Sequence, residues 1–253
     1  MKTSLQMLLV AATVCFTMQT QAQPAGTTLS ADSFKWESRR NGELKFLLHL
    51  PAEYSATNGV RWPLMLFLHG AGERGSDVQR AGIHGPMKLV GQGTNFPFII
   101  VAPQCPEKQR WDTEALDQLL AHIVAQHAVD TNRIYLTGLS MGGYGTWSLG
   151  LRYPEKFAAI APVCGGGNIM DMVLASPGHA AALRALPVWA FHGAKDPIVP
   201  VAESERMVES LKRRAKNADV KLTVYPEADH DSWTETYNNP KFYEWLLAQR
   251  RRE

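Results

Sequence analysis

Cysteine is scarce, charge is nearly balanced, and no apolar run is long enough for a comfortable membrane span. The chain has three cysteines in 253 residues, and neither their spacing nor their neighbours give a metal-ligand pattern. Lysine and arginine number 26 against 24 acidic residues, a formal net charge of +2 that is one unit lower once Lys2 leaves with a leader. Such a balance argues against nucleic acid or an anionic membrane surface as partner. Internal repeats, low-complexity tracts and a second domain are also missing. The length, with 45% hydrophobic and 20% charged residues, suits one globular domain with a full core.

What is present begins with a secretory pattern over residues 1–22. Lys2 supplies a short positive start, Leu5 to Phe16 is mostly apolar, and Thr20-Gln21-Ala22 offers small residues before a cut. Cys15 follows Val14, a poor fit to the small residue that lipoprotein processing prefers, so export to the periplasm or medium is expected rather than anchoring. Residues 23–33 are polar and small and are expected to be flexible, with the catalytic domain over residues 34–253. Export would permit a disulfide between Cys105 and Cys164. Both follow strands that are not neighbours in the expected sheet, and a bridge needs Cα atoms within about 7 Å.

The spacing predicts eight strands. Phe34–Arg39 and Glu43–Leu50 form a hairpin through a tight turn at Asn41-Gly42. Pro63–Leu68, Phe98–Ala102, Arg133–Leu136, Phe157–Val163, Val188–Phe191 and Lys221–Tyr225 follow, with helices between them. Leu116, Leu119, Leu120, Ile123 and Val124 share one helical face behind an Asp112 cap. Further helices are expected over Tyr144–Tyr153, Val201–Arg214 and Phe242–Gln249, with one between Gly165 and Leu186, a stretch too short for a cap domain. The triple arginine at 250–252 reads as a solvated end that complements the last helix dipole. A hairpin followed by strand-helix alternation argues for a mainly parallel sheet covered on both faces.

Gly138-x-Ser140-x-Gly142 lies between a strand and a helix, the setting of a nucleophile elbow. Strand and helix approach closely there and the serine backbone is strained, so glycines flank it for a steric reason. A serine hydroxyl near neutral pH needs a base, and that base needs an orienting group. In the α/β-hydrolase order the acid and then the histidine follow the serine. His192 precedes the best acid and His179 comes too early in a surface-like loop, which leaves His230 as base. Asp196, in Gly193-Ala194-Lys195-Asp196-Pro197 after a strand, is the matching acid; its bland reading is a pair with Lys195. Glu203, Asp219 and Glu227 are weaker alternatives. The oxyanion needs preorganised donors. The Met141 N–H is one candidate and the Ala71 N–H, in the small-residue loop after Leu68, the other. His69 reads as structural, since it precedes Ser140 at a strand end. Gln104, Trp111 and Trp233 are candidates to shape the substrate pocket, or else to cover the core edge. Glu73 and Arg74 are read as an ion pair stiffening the oxyanion loop, or as a plain surface pair.

From Pro63 onward the chain resembles secreted α/β-hydrolase esterases of the predicted peptidase and phospholipase/carboxylesterase branch. That branch is related to polyhydroxybutyrate depolymerases and to feruloyl and acetylxylan esterases. The resemblance is carried by His69-Gly70-Ala71-Gly72-Glu73-Arg74-Gly75, Ala102-Pro103-Gln104-Cys105-Pro106 with Trp111, Gly138-Leu139-Ser140-Met141-Gly142-Gly143-Tyr144-Gly145, Cys164-Gly165-Gly166-Gly167, and Asp196-Pro197 with His230. It implies an eight-stranded α/β-hydrolase fold without a large cap, the triad Ser140, Asp196 and His230, and no cofactor. The expected substrate is a small-molecule or polysaccharide-linked ester such as a feruloyl or acetyl ester. A serine peptidase of the same fold and a non-catalytic binding protein are the alternatives.

Overall fold

The structure is a computed structural model that describes residues 28–36 and 42–251. The expected signal at 1–22 and Asn41 of the expected turn lie outside the described residues. Eight strands form one sheet: β1 (Thr28–Trp36), β2 (Gly42–Leu50), β3 (Trp62–Leu68), β4 (Ile99–Pro103), β5 (Val129–Leu139), β6 (Ala159–Val163), β7 (Val188–Gly193) and β8 (Val220–Tyr225). Their order is β1-β2-β4-β3-β5-β6-β7-β8. The β1–β2 and β2–β4 pairs are antiparallel, and the six strands from β4 to β8 run parallel, as expected of an α/β-hydrolase sheet.

The central strands are continuous apolar runs because helices cover both faces. Leu64, Leu66, Leu136 and Ile160 face a core that includes Trp147 and Leu116, while Met65, Phe67, Tyr135 and Ala161 face one that includes Phe242 and Met87. The covering helices are α1 (Gly85–Gly91), α2 (Thr113–Gln126), α3 (Met141–Arg152), α4 (Met170–Val173), α5 (Pro177–Ala185), α6 (Ala202–Arg214), α7 (Trp233–Asn238) and α8 (Pro240–Ala248). Asp112 caps α2 as expected, its Oδ1 accepting from the Glu114 and Ala115 amides.

Several expectations need correction. Residues 28–33, expected to be flexible, are strand: β1 pairs with β2 from Thr28↔Leu50 to Trp36↔Gly42. Its side chains are largely exposed, so no buried face printed an alternating pattern. The register also sets Gly42 opposite Trp36, so Gly42 belongs to the strand pair rather than to a turn. Two helices, α4 and α5, stand where one was expected, and His179 lies in the first turn of α5 rather than in a loop. The arginine end is pinned rather than only solvated: the Arg251 amide donates to the Asn132 carbonyl, and Arg250 pairs with Asp130 at 3.4 Å. Cys105 and Cys164 are free, buried thiols. They follow β4 and β6, three strand spacings or roughly 14 Å apart across the sheet, beyond the reach of a disulfide. No described helix is long and apolar enough to cross a membrane.

Candidate active site

Leu139 ends β5 and Met141 opens α3, so Ser140 alone makes the turn, at φ 53° and ψ −116°. This left-handed conformation is strained for a serine and lifts its side chain above the sheet end. The turn also needs its glycines. A Cβ on Gly138 would sit 2.6 Å from both the Leu68 and Gly142 carbonyl oxygens, and one on Gly142 would overlap the Leu68 carbonyl. Behind the elbow, the Ser140 amide donates to the Val163 carbonyl at 3.0 Å and lies 3.3 Å from the Cys164 sulfur. Burial pushes the Cys164 thiol up to about 12, so it stays protonated and is no rival nucleophile.

Loops after β7 and β8 deliver the other two groups. The Ser140 hydroxyl lies 2.9 Å from His230 Nε2, and His230 Nδ1 lies 2.7 Å from Asp196 Oδ2. Because the carboxylate only accepts, Nδ1 carries the proton and Nε2 is free to accept from the serine. Asp196 Oδ1 takes the amides of Ile198 and Val199, each at 2.9 Å. Burial pushes the Asp196 carboxyl up, but the His230 bond and these two amides outweigh it and hold the group below its ordinary value. It therefore stays ionised, able to orient the imidazole and to stabilise a positive ring. The other acids and Lys195 are engaged elsewhere: Lys195 pairs with Glu227, and Glu203 with Arg206 at 2.7 Å.

Met141 occupies the first position of α3, where an N–H has no acceptor within the helix. Ala71 opens a 3₁₀ turn directly after β3, whose Leu68 is in register with Gly138. The small-residue loop thus lies beside the elbow. Glu73 holds it from below, its Oε2 accepting the Gly70 amide at 2.8 Å. The expected Glu73–Arg74 pair does not form. Glu73 is buried and lies 3.7 Å from His84 Nε2, while Arg74 donates to the Ala71 and Gln109 carbonyls, because the 3₁₀ turn points the two side chains apart. His69 is structural: it accepts the Cys105 amide on Nε2 at 3.0 Å and donates from Nδ1 to the Gly70 carbonyl at 2.7 Å.

A cleft of about 520 Å³ opens over the serine, with Trp111, Met141, Tyr144 and Ser148 among its walls. Trp111 is fixed there by an Nε1 bond to the His69 carbonyl at 3.2 Å and by an edge contact with the His69 ring. Gln104 is not in the cleft. It is buried and ties Glu73 to Cys105 by donating to both carbonyls, at 2.7 and 3.1 Å, because its backbone directly follows β4 beneath the loop. Trp233 opens α7 beside His230: its ring meets the imidazole edge-on at 5.3 Å and lies 5.5 Å from the His84 ring. Tyr144 and Ser148 join the cleft wall because spacings of four and eight residues from Ser140 put them on one face of α3. Among the described residues no cluster of three or more histidine, cysteine or acidic side chains could hold a metal.

A family model described as phospholipase/carboxylesterase matches residues 96–241. Over 182 residues the chain is 28% identical to a bifunctional acetylxylan esterase/xylanase of Neocallimastix patriciarum, covering 68% of this chain and 25% of that protein. A solved thermostable esterase superposes with a TM-score of 0.72 at 31% identity, over 88% of this chain and 63% of the other. A ferulic acid esterase shares the fold, at 17% identity and a TM-score of 0.68, over 87% of this chain and 99% of the other. The chain therefore spans a quarter of the length of its xylan-related relative and under two thirds of the thermostable esterase. The match over more than half its length, joined to the elbow and the strand order, shows that the chain belongs to the phospholipase/carboxylesterase family of α/β hydrolases.

Proposed function

We propose that the chain is an exported serine carboxylesterase acting on feruloyl or acetyl esters linked to polysaccharide. The observation that carries this reading is the continuous hydrogen-bonded path from the Ser140 hydroxyl through His230 to Asp196. In the proposed cycle Ser140 attacks the ester carbonyl as His230 takes its proton. His230 then gives that proton to the leaving alkoxide, and Asp196 holds the imidazole throughout. Amides of Met141 and Ala71 stabilise the oxyanion, and water repeats the sequence on the acyl-enzyme. Trp111 gives a flat apolar wall for an aryl acyl group. The xylan-related relative and the ferulic acid esterase fold support the substrate class, and the secretory pattern at 1–22 supports export.

The test is hydrolysis of p-nitrophenyl esters, methyl ferulate, acetylated xylan and a peptide anilide by the chain and its Ser140→Ala variant. Ester cleavage that falls by at least about 10³-fold in the variant is expected. Faster anilide than ester cleavage would make the chain a peptidase. Equal rates for wild type and variant on every substrate would leave a binding protein.

A further inference from the structure

Asp196 has a second histidine beside it. His192, in β7, is completely buried, and its Nε2 lies 3.3 Å from the Oδ2 atom that also receives the His230 bond. The same nitrogen is 2.9 Å from the Val199 carbonyl oxygen. A carbonyl only accepts, so Nε2 carries a proton and donates to the Val199 oxygen, while its approach to Oδ2 is a close contact rather than a hydrogen bond. On the opposite edge of the ring, Nδ1 is 2.7 Å from the Ser204 hydroxyl, which itself lies 3.0 Å from the Gly165 carbonyl oxygen. Ser204, in α6, is fully buried too.

This arrangement pins the imidazole at both edges. Rotating the ring would strand buried polar groups without partners. Val199 is tied twice, through its amide to Asp196 Oδ1 and through its carbonyl to His192. The acid's turn, its carboxylate and the strand that carries His192 are therefore joined into one unit. His230 approaches Oδ2 from the more open side, with 19% of its side chain exposed. Only the Asp196 end of the Ser140 path is enclosed, so its direction is set there.

We infer that His192 is a positioning residue for the Ser140 site: donating from Nε2 to the Val199 carbonyl, it fixes the turn whose Val199 amide holds the carboxylate that orients His230, with the Ser204 hydroxyl holding the opposite edge of the ring. This rests on the serine-hydrolase reading above, and the substrate plays no part in it.

Labelling of Ser140 by a fluorophosphonate probe reads the site without a known ester. His192→Gln offers an amide N–H near the place of Nε2, His192→Leu keeps bulk without a donor, and Ser204→Ala removes the hydroxyl behind the ring. The maximal labelling rate should fall about tenfold or more in His192→Leu and several-fold in Ser204→Ala, and stay within about threefold in His192→Gln, with probe affinity alike in all. The low-field NMR proton of the His230–Asp196 hydrogen bond should move in His192→Leu and hold its place in His192→Gln. Leu and Gln variants that label alike, or a Leu variant with wild-type rate, would overturn the positioning role. Should His192→Leu fail to fold, a folded Ser204→Ala with wild-type rate and an unmoved resonance overturns it equally. Wild-type protein that takes no label sinks the serine-hydrolase reading and this one with it, whereas a labelled wild type with unaffected variants sinks this one alone.

Discussion

His69 makes the stability of this fold depend on acidity. Burial pushes its imidazole down, its bond to the Gly70 carbonyl opposes that, and Arg80 and Arg74 lower it further, to about 4. In an unfolded chain the same group titrates near 6.5. Between those values the unfolded state binds the extra proton and the folded state does not. Stability from this group is therefore complete above about pH 6.5 and drains away as pH falls toward 4, a loss on the order of 3 kcal/mol. Asp196, held below its ordinary 3.8, loses its own contribution as pH falls through the carboxylate range beneath most of that window. His69→Gln keeps an acceptor for the Cys105 amide and cannot titrate. Urea unfolding at pH 7 and pH 4.5 should show a large drop for the wild type and a small one for the variant, and equal drops would take His69 out of the acid response.

Ser140 owes its place to an element boundary, since β5 and α3 meet with one residue between them. Gly142 is the tightest point of that junction, against the Leu68 carbonyl of β3. Gly142→Ala must push the helix off the strand, at a cost of about 3 kcal/mol, and displace Ser140 from His230. Thermal melting should show the lost stability, and a variant that melts and turns over like the wild type would contradict the packing account. This junction was legible in the sequence because one motif specifies the turn, the strand before it and the helix after it. The grouping of Asp196 and His230 with Ser140 was legible because chain order leaves few choices. Other elements left weaker marks. Helix α1 holds two glycines and a proline in seven residues, and α7 is six residues long, too short to show a period. Gln104 and Trp233 look like pocket residues in a linear reading. Only the packing shows that Gln104 is buried beneath the loop after β3, whereas Trp233 lies against the His230 ring.

Across the whole molecule, burial grades from the middle of the sheet to its edge. Strands β3, β4 and β6 are almost entirely buried, whereas β1 shows most of its side chains to solvent. Among the described β1 side chains, Phe34 packs against the core, where its ring meets His122 at 4.8 Å. The nine-residue register with β2 therefore rests mainly on backbone hydrogen bonds, whose net worth in water is small. The C-terminal end is different: Tyr135 donates to the Gln249 carbonyl at 3.0 Å and the Arg251 amide to Asn132, which clips the last residues to β5. Ser140 and Asp196 follow the inner strands β5 and β7, and His230 follows β8 at the opposite edge from β1, so the site is well removed from the β1 edge. Opening at β1 should then leave the site intact, and the paired β1 amides should exchange with deuterium at least about a hundredfold faster than those of β5. Exchange followed by mass spectrometry at neutral pH would decide it: β1 amides as slow as those of β5 would mean that the edge and the strands around Ser140 open together, and that the polar edge strand is integral to the cooperative unit that holds the site.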